Sequence, residues 1–204
     1  MTERCPIRIG WGWTACDDSA LSLGIRWFTR PGWAPKPLAR WSHMFLVCGF
    51  KDEAPVIHEA LGSRGWSESP LLKVENWRYD DAINRHYHQE WLNVPKDIVR
   101  GIWRESLSWI GTRSYAFQQL ATFAMAESLA GRALRRLAPT VFDRDVADDR
   151  VICSEGACRL VGVHWPALDL RADPREQWAN ISPQAAYDRY RIRRLKLRQD
   201  LARE

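Results

Sequence analysis

Apolar and polar positions alternate almost from the start of the chain. Ile7-Arg-Ile-Gly-Trp-Gly-Trp has an apolar residue at every second position, which predicts a strand, and its two glycines point to a backbone that another group approaches closely. Asp18 or Ser19 is placed to cap a short helix running to Phe28, and the proline-rich stretch 31–37 predicts a loop. Two apolar runs, 43–48 and 55–61, flank the turn-like 49–53 and predict a hairpin. A third strand is expected over 82–92, with Ile83, Tyr87 and Trp91 on one face and His86, His88 and Glu90 on the other. From Pro95 the period lengthens: Val99, Ile102, Trp103, Leu107 and Ile110 form a helical stripe that stops at Gly111. A second helix is expected over 117–129, an acidic loop over 139–150, and a short helix starting at Cys153. The last segment reads two ways, since 182–187 suggests a helical turn whereas 190–197 partly alternates and fits an edge strand. The expected fold class is α+β, a mainly antiparallel sheet packed against helices, in one domain over 1–204 with a helical segment at about 95–131.

Composition narrows the functional classes. With 204 residues, 46 % hydrophobic and 27 % charged, the chain has the balance of a packed globular domain. Its longest nearly uncharged run, 115–126, is too short to cross a bilayer, and its first residues lack the apolar stretch of a secretory signal. The expectation is synthesis into the cytoplasm without a transmembrane segment, any release following a route that needs no signal peptide. Five cysteines without a CxxC pair argue against a disulfide framework and against structural zinc, and no cofactor is called for.

The net charge of +5 comes partly from basic residues crowded into 189–198. Such a run reads first as a solvated face and second as a contact for an anionic polymer, and nucleic acid is not expected as a partner. Most of the twelve tryptophans read as packing. Trp11, Trp13, Trp33 and Trp41 are also candidate walls of a substrate cleft, because they lie near the candidate base in sequence. His86, His88 and Glu90 read as a wet sheet face rather than a metal site, and Asp143, Asp145, Asp148 and Asp149 lack the spacing of a calcium loop.

The candidate chemistry centres on Cys153. A thiolate at a helix N-terminus is stabilised by unpaired backbone N–H groups and by the helix dipole. A histidine beside it forms an ion pair that makes the sulfur nucleophilic, and a carboxylate or amide must then orient the imidazole. His43 begins an apolar strand, and Glu59 lies on the strand expected to pair with it, so the two can lie side by side. His58 competes with Glu59 for that place, because adjacent strand residues point to opposite faces and only one of them can meet His43. Glu59 is favoured, since a carboxylate stabilises imidazolium better than a second imidazole does. The plain alternative for Cys153 is a buried small apolar residue, the role expected of Cys158.

Three fragments, Trp41-Ser-His-Met-Phe-Leu-Val, Val56-Ile-His-Glu-Ala-Leu-Gly and Val151-Ile-Cys-Ser-Glu, resemble in order the motifs of circularly permuted NlpC-type (YiiX-like) papain-like cysteine amidases and peptidases. Ile110-Gly-Thr-Arg-Ser-Tyr resembles the family's glycine and tyrosine turn, and Ile181-Ser-Pro its closing motif. The resemblance spans most of the chain and departs at the start, where Ile9-Gly-Trp-Gly-Trp stands in place of Gly-Asp and an apolar strand. It implies a permuted papain-like fold with Cys153 as nucleophile, His43 as base and Glu59 as the orienting residue. It also implies thiol amidase or acyl-transfer chemistry through an acyl-enzyme, on a peptide-like amide such as a cell-wall stem. Relatives similar to lecithin-retinol acyltransferase make a thioesterase or acyltransferase on lipid the second reading. A non-catalytic binding module on the same fold is the third.

Overall fold

The structure is a computed structural model that describes residues 3–12, 20–29, 41–51, 54–62, 64–70, 87–116 and 149–201. Its centre is a five-stranded sheet made of β1 (Arg4–Gly12), β2 (His43–Lys51), β3 (Ala54–Leu61), β4 (Gly65–Pro70) and β5 (Tyr87–Pro95), in the order β4-β3-β2-β1-β5. Every neighbouring pair is antiparallel. The helices are α1 (Ala20–Phe28), α2 (Lys96–Trp109), α3 (Cys153–His164) and α4 (Pro183–Leu201), with single 3₁₀ turns at Pro166–Leu168 and Trp178–Asn180. The α+β class and the antiparallel sheet thus agree with the sequence pattern.

Period-two patterning explains the sheet. Ile7, Ile9 and Trp11 of β1, Met44 and Leu46 of β2, Ala60 of β3 and Leu92 and Val94 of β5 form one continuous buried cluster with residues of α2, α3 and α4. The cross-strand pairs Ile9↔Leu46 and Trp11↔Met44 put these side chains on a common face. The opposite face is also buried at Phe45, Ile57 and Glu59. Gly10 meets the expectation of close approach: it pairs with Phe45, and a Cβ there would stand 2.0 Å from the Phe45 ring.

The 43–61 hairpin forms as expected, with a β-bulge between Val47 and Gly49 that leaves Cys48 over. Strand β4 was not foreseen, because Gly65-Trp-Ser-Glu-Ser-Pro carries turn-forming residues at most positions. Its edge is covered by a short parallel ladder of β6 (Ser114–Tyr115) and β7 (Arg150–Val151). The Trp66 N–H bonds the Arg113 carbonyl at 2.9 Å, and Gly65 at φ +65° brings its own backbone against that carbonyl, where a Cβ would lie 2.0 Å away.

Three expectations are corrected. In β5 the inward face is the even one: Leu92 and Val94 are buried and Trp91 is exposed, so His88 and Glu90 lie on the inward face. In α2 the buried stripe is Ile102, Ser106 and Trp109, whereas Trp103 and Leu107 face outward, because Ser106 finds buried partners and takes a core position. The C-terminal segment forms no edge strand. Ser182 Oγ accepts the Ala185 N–H at 3.1 Å, and long-chain helix formers carry α4 through residues 190–197. Arg194 of α4 pairs with Glu90 of β5, which is itself 2.8 Å from His88.

Other expectations lie outside the described residues: the cap at Asp18 or Ser19, the 31–37 loop, Ile83 and His86, the 117–129 helix, and Asp143, Asp145 and Asp148. Among the described residues, no helix is long and apolar enough to cross a membrane, and no group of His, Cys, Asp and Glu is arranged to hold a metal ion.

Candidate active site

Helix α3 is the innermost helix, packed on β2 and β3 and touching α2, α4 and both 3₁₀ turns. The β6–β7 ladder delivers the chain to its start. Ser114 N–H bonds the Asp149 carbonyl at 2.7 Å and Ala116 N–H bonds the Val151 carbonyl at 3.2 Å, two residues before Cys153. Cys153 is therefore the first residue of a twelve-residue helix, as expected. Glu155 stands in the first turn, where its carboxylate accepts the Ile152 N–H at 3.4 Å and complements the helix dipole. Gly156 faces the Trp66 ring, which a Cβ would meet at 2.4 Å, so the absence of a side chain lets α3 seat against β4.

His43 opens β2 opposite Gly12 of β1. Two residues earlier, the Trp41 N–H bonds the Gln184 Oε1 of α4 at 3.3 Å, which ties the strand entry to the first turn of that helix. His43 Nε2 lies 2.6 Å from Glu59 Oε2. The two residues are not directly opposed. Carried on from the pair Leu46↔His58, the register sets Glu59 opposite Phe45, so His43 is its diagonal neighbour. Diagonal Cβ atoms are about 7 Å apart, a gap that a glutamate and an imidazole together bridge.

With Nε2 committed to Glu59, Nδ1 is the nitrogen left to face the Cys153 sulfur, which acts on the imidazole. Burial pushes the His43 pKa down. The negative charge and hydrogen bond of Cys153, followed by those of Glu59, outweigh burial and raise it from 6.5 to about 9. His43 and Cys153 are each 3 % exposed and Glu59 is 0 % exposed, so these charges act on one another with little screening by water.

The structure thus brings together all three residues singled out for chemistry. Glu59, not His58, meets His43. His58 sits on the other face of β3, 2.6 Å from Ser106 Oγ, with its Nε2 3.5 Å from Glu68. Cys158 has the packing role foreseen, fully buried and 3.8 Å from Met44 Sδ, its thiol pushed up by burial.

The tryptophans divide otherwise. Trp11 and Trp41 are wholly buried, edge-on to Tyr187 at 5.4 and 5.5 Å, and belong to the core rather than to an open cleft wall. Trp13 and Trp33 lie outside the described residues.

Sequence reasoning missed two neighbours of the site. Gln184 holds the strand leading to His43 from 143 residues away, a separation that no local pattern reveals. In the sequence Tyr115 stands out only as part of a turn motif. Its hydroxyl is pushed up by burial and then by the charge of Cys153, so it lies within electrostatic reach of the sulfur. Searches of family models, of curated proteins and of solved structures each return no match to this chain.

Proposed function

We propose that the chain is a cysteine hydrolase of the permuted papain-like, NlpC-type kind, cleaving a peptide-like amide through an acyl-enzyme. The observation that carries this reading is the placing of three buried groups together: Cys153 opens α3, and His43, 2.6 Å from the Glu59 carboxylate, faces it, so that Cys153 and Glu59 together raise the His43 pKa to about 9. At neutral pH His43 is then an imidazolium, the acid that the first half of acyl transfer requires.

Cys153 Sγ attacks the carbonyl carbon, and the charge gathering on the oxygen is met by the Cys153 backbone N–H at the start of α3. The imidazolium gives its Nδ1 proton to the leaving amine as the C–N bond breaks. Water, deprotonated by the now neutral Nδ1, attacks the thioester and expels the Cys153 thiolate. Glu59 keeps the ring in register and stabilises its charged form, without itself taking the proton.

The test is alkylation of the folded full chain by iodoacetamide across pH, located by mass spectrometry. At about pH 6 an ordinary thiol, with a pKa of about 8.5, is almost wholly protonated and alkylates slowly. Selective modification of Cys153 there, lost in His43→Ala, is the expected result. Slow labelling spread over all the cysteines at that pH would overturn the reading.

A further inference from the structure

Helix α2 has two opposed faces. Ile98, Ile102, Ser106 and Trp109 point inward, the first partly and the others fully buried. At about 100° per residue, Arg100, Trp103, Arg104 and Leu107 fall together within roughly 100° of the helix circumference on the far side. All four are exposed, and Trp103 and Leu107 each leave 45 % of their surface open. An apolar pair of that size, interleaved with two arginines and standing clear of the core, needs a cover of matching chemistry.

We infer that this face of α2 docks on an anionic phospholipid surface. The centre of the stripe carries only cations and apolar groups. Glu105 is turned aside onto His164 at 2.7 Å, and Glu3, which reaches toward Arg100, is held by Lys96 at 2.7 Å. Asp97 lies at the edge of the face, in the first turn. Tryptophan settles at the headgroup level, leucine enters the acyl boundary, and arginine keeps its guanidinium among the phosphates while its stem lies along the apolar surface. Nucleic acid fits less well, because Leu107 offers nothing to a base and sits where a phosphate track would need another donor.

The same chemistry recurs on α4, packed against the same helix α3. There Ile192 and Leu195 are largely exposed beside Arg191 and Lys196. The net charge of +5 draws the whole chain toward the same surface. None of these residues touches the Cys153 site, so the inference stands apart from the proposed reaction.

Co-sedimentation of the full chain with sucrose-loaded vesicles tests it, comparing phosphatidylcholine alone with a mixture of which about a third is phosphatidylglycerol. Expected is binding to the anionic vesicles that weakens as salt is raised, and little binding to the neutral ones. Arg100→Glu with Arg104→Glu, and separately Trp103→Ser with Leu107→Ser, should each weaken that binding about tenfold or more. All four side chains are exposed, and circular dichroism checks that the fold survives. Absence of binding, equal partitioning onto neutral vesicles, or variants that bind like wild type would overturn the proposal. So would a Trp103-dependent dimer in sedimentation velocity without lipid, which makes a second copy the occupant. Displacement of the chain from vesicles by an oligonucleotide that binds Trp103→Ser/Leu107→Ser unchanged would overturn it in favour of nucleic acid.

Discussion

Strand β3 carries His58 and Glu59 side by side, and each belongs to a group made of a cysteine, a histidine and a glutamate. On one side Glu59 meets His43, which in turn faces Cys153; on the other, His58 meets Ser106, Glu68 and, close by, Cys48. The residue types match, yet the electrostatics run in opposite directions. His43 is buried but its pKa is raised, because its interactions with Cys153 and then with Glu59 outweigh burial. His58 is buried and its pKa is lowered, because burial outweighs Glu68, which is 3.5 Å away with its side chain 41 % exposed. The cysteines differ as well. Cys153 starts a helix, whereas Cys48 is the spare residue of a β-bulge and burial pushes its thiol up to about 12. Composition alone therefore assigns no chemistry; the location of the carboxylate and the backbone beneath the sulfur decide it.

The largest expected difference lies between the two sulfurs. Cys153→Ala should lower turnover of any amide substrate by about a thousandfold or more, while Cys48→Ala leaves it unchanged. Steady-state rates on both variants check this, and equal losses would erase the distinction between the groups.

Next comes the carboxylate. Glu59→Gln should drop the His43 pKa by about one unit or more, followed by NMR titration of its ring. It should also destabilise the chain by about 3 kcal/mol, since a buried imidazolium loses its partner. The pH dependence has a definite direction. The folded pKa of His43 lies above its ordinary 6.5, so its proton stabilises the fold fully below pH 6.5, and this contribution disappears as the pH rises to about 9. The stability gap between wild type and Glu59→Gln should accordingly shrink over that window in urea denaturation. A constant gap would mean that His43 is neutral throughout.

How far the chain could be read without coordinates follows from the same contrast. The His43 group was legible because its parts sit on regular elements: strand alternation separates Glu59 from His58, and Cys153 opens an apolar helix. The His58 group was not, because Ser106, 48 positions away, is one of several polar residues on a helix whose apolar stripe points elsewhere by hydropathy. Counting Trp103 and Leu107 as core turned that stripe the wrong way, for tertiary hydrogen bonds override hydropathy at a buried serine. Helix α4 was misread in part for a similar reason: the partial alternation of apolar and basic residues over 190–197 mimics an edge strand, whereas the Ser182 cap and the Arg194–Glu90 pair belong to a helix.

A smaller effect is expected at Ser106. Its Oγ accepts the Trp66 Nε1–H at 3.0 Å, and its hydroxyl faces His58 Nδ1 at 2.6 Å. With Nε2 turned toward the Glu68 carboxylate, the neutral ring keeps its proton there and Nδ1 accepts the Ser106 hydroxyl. Ser106→Ala leaves two buried groups without a partner and should cost about 1 to 3 kcal/mol in urea denaturation, with alkylation of Cys153 unchanged.

The smallest effect belongs to Glu68, and it depends on pH. Because the folded pKa of His58 lies below 6.5, the neutral ring stabilises the fold above pH 6.5, and this contribution falls away on acidification through the interval between the two values. Glu68 raises the His58 pKa and so narrows that interval. At pH 7.5 the ring is uncharged and Glu68 faces water, so Glu68→Gln should change stability by less than about 0.5 kcal/mol. Near pH 5 the variant should lose more stability than wild type, since its His58 resists the proton that the unfolded chain accepts. A large loss already at pH 7.5 would mean that His58 is charged against Glu68, and the two sides of β3 would then be alike in charge rather than opposed.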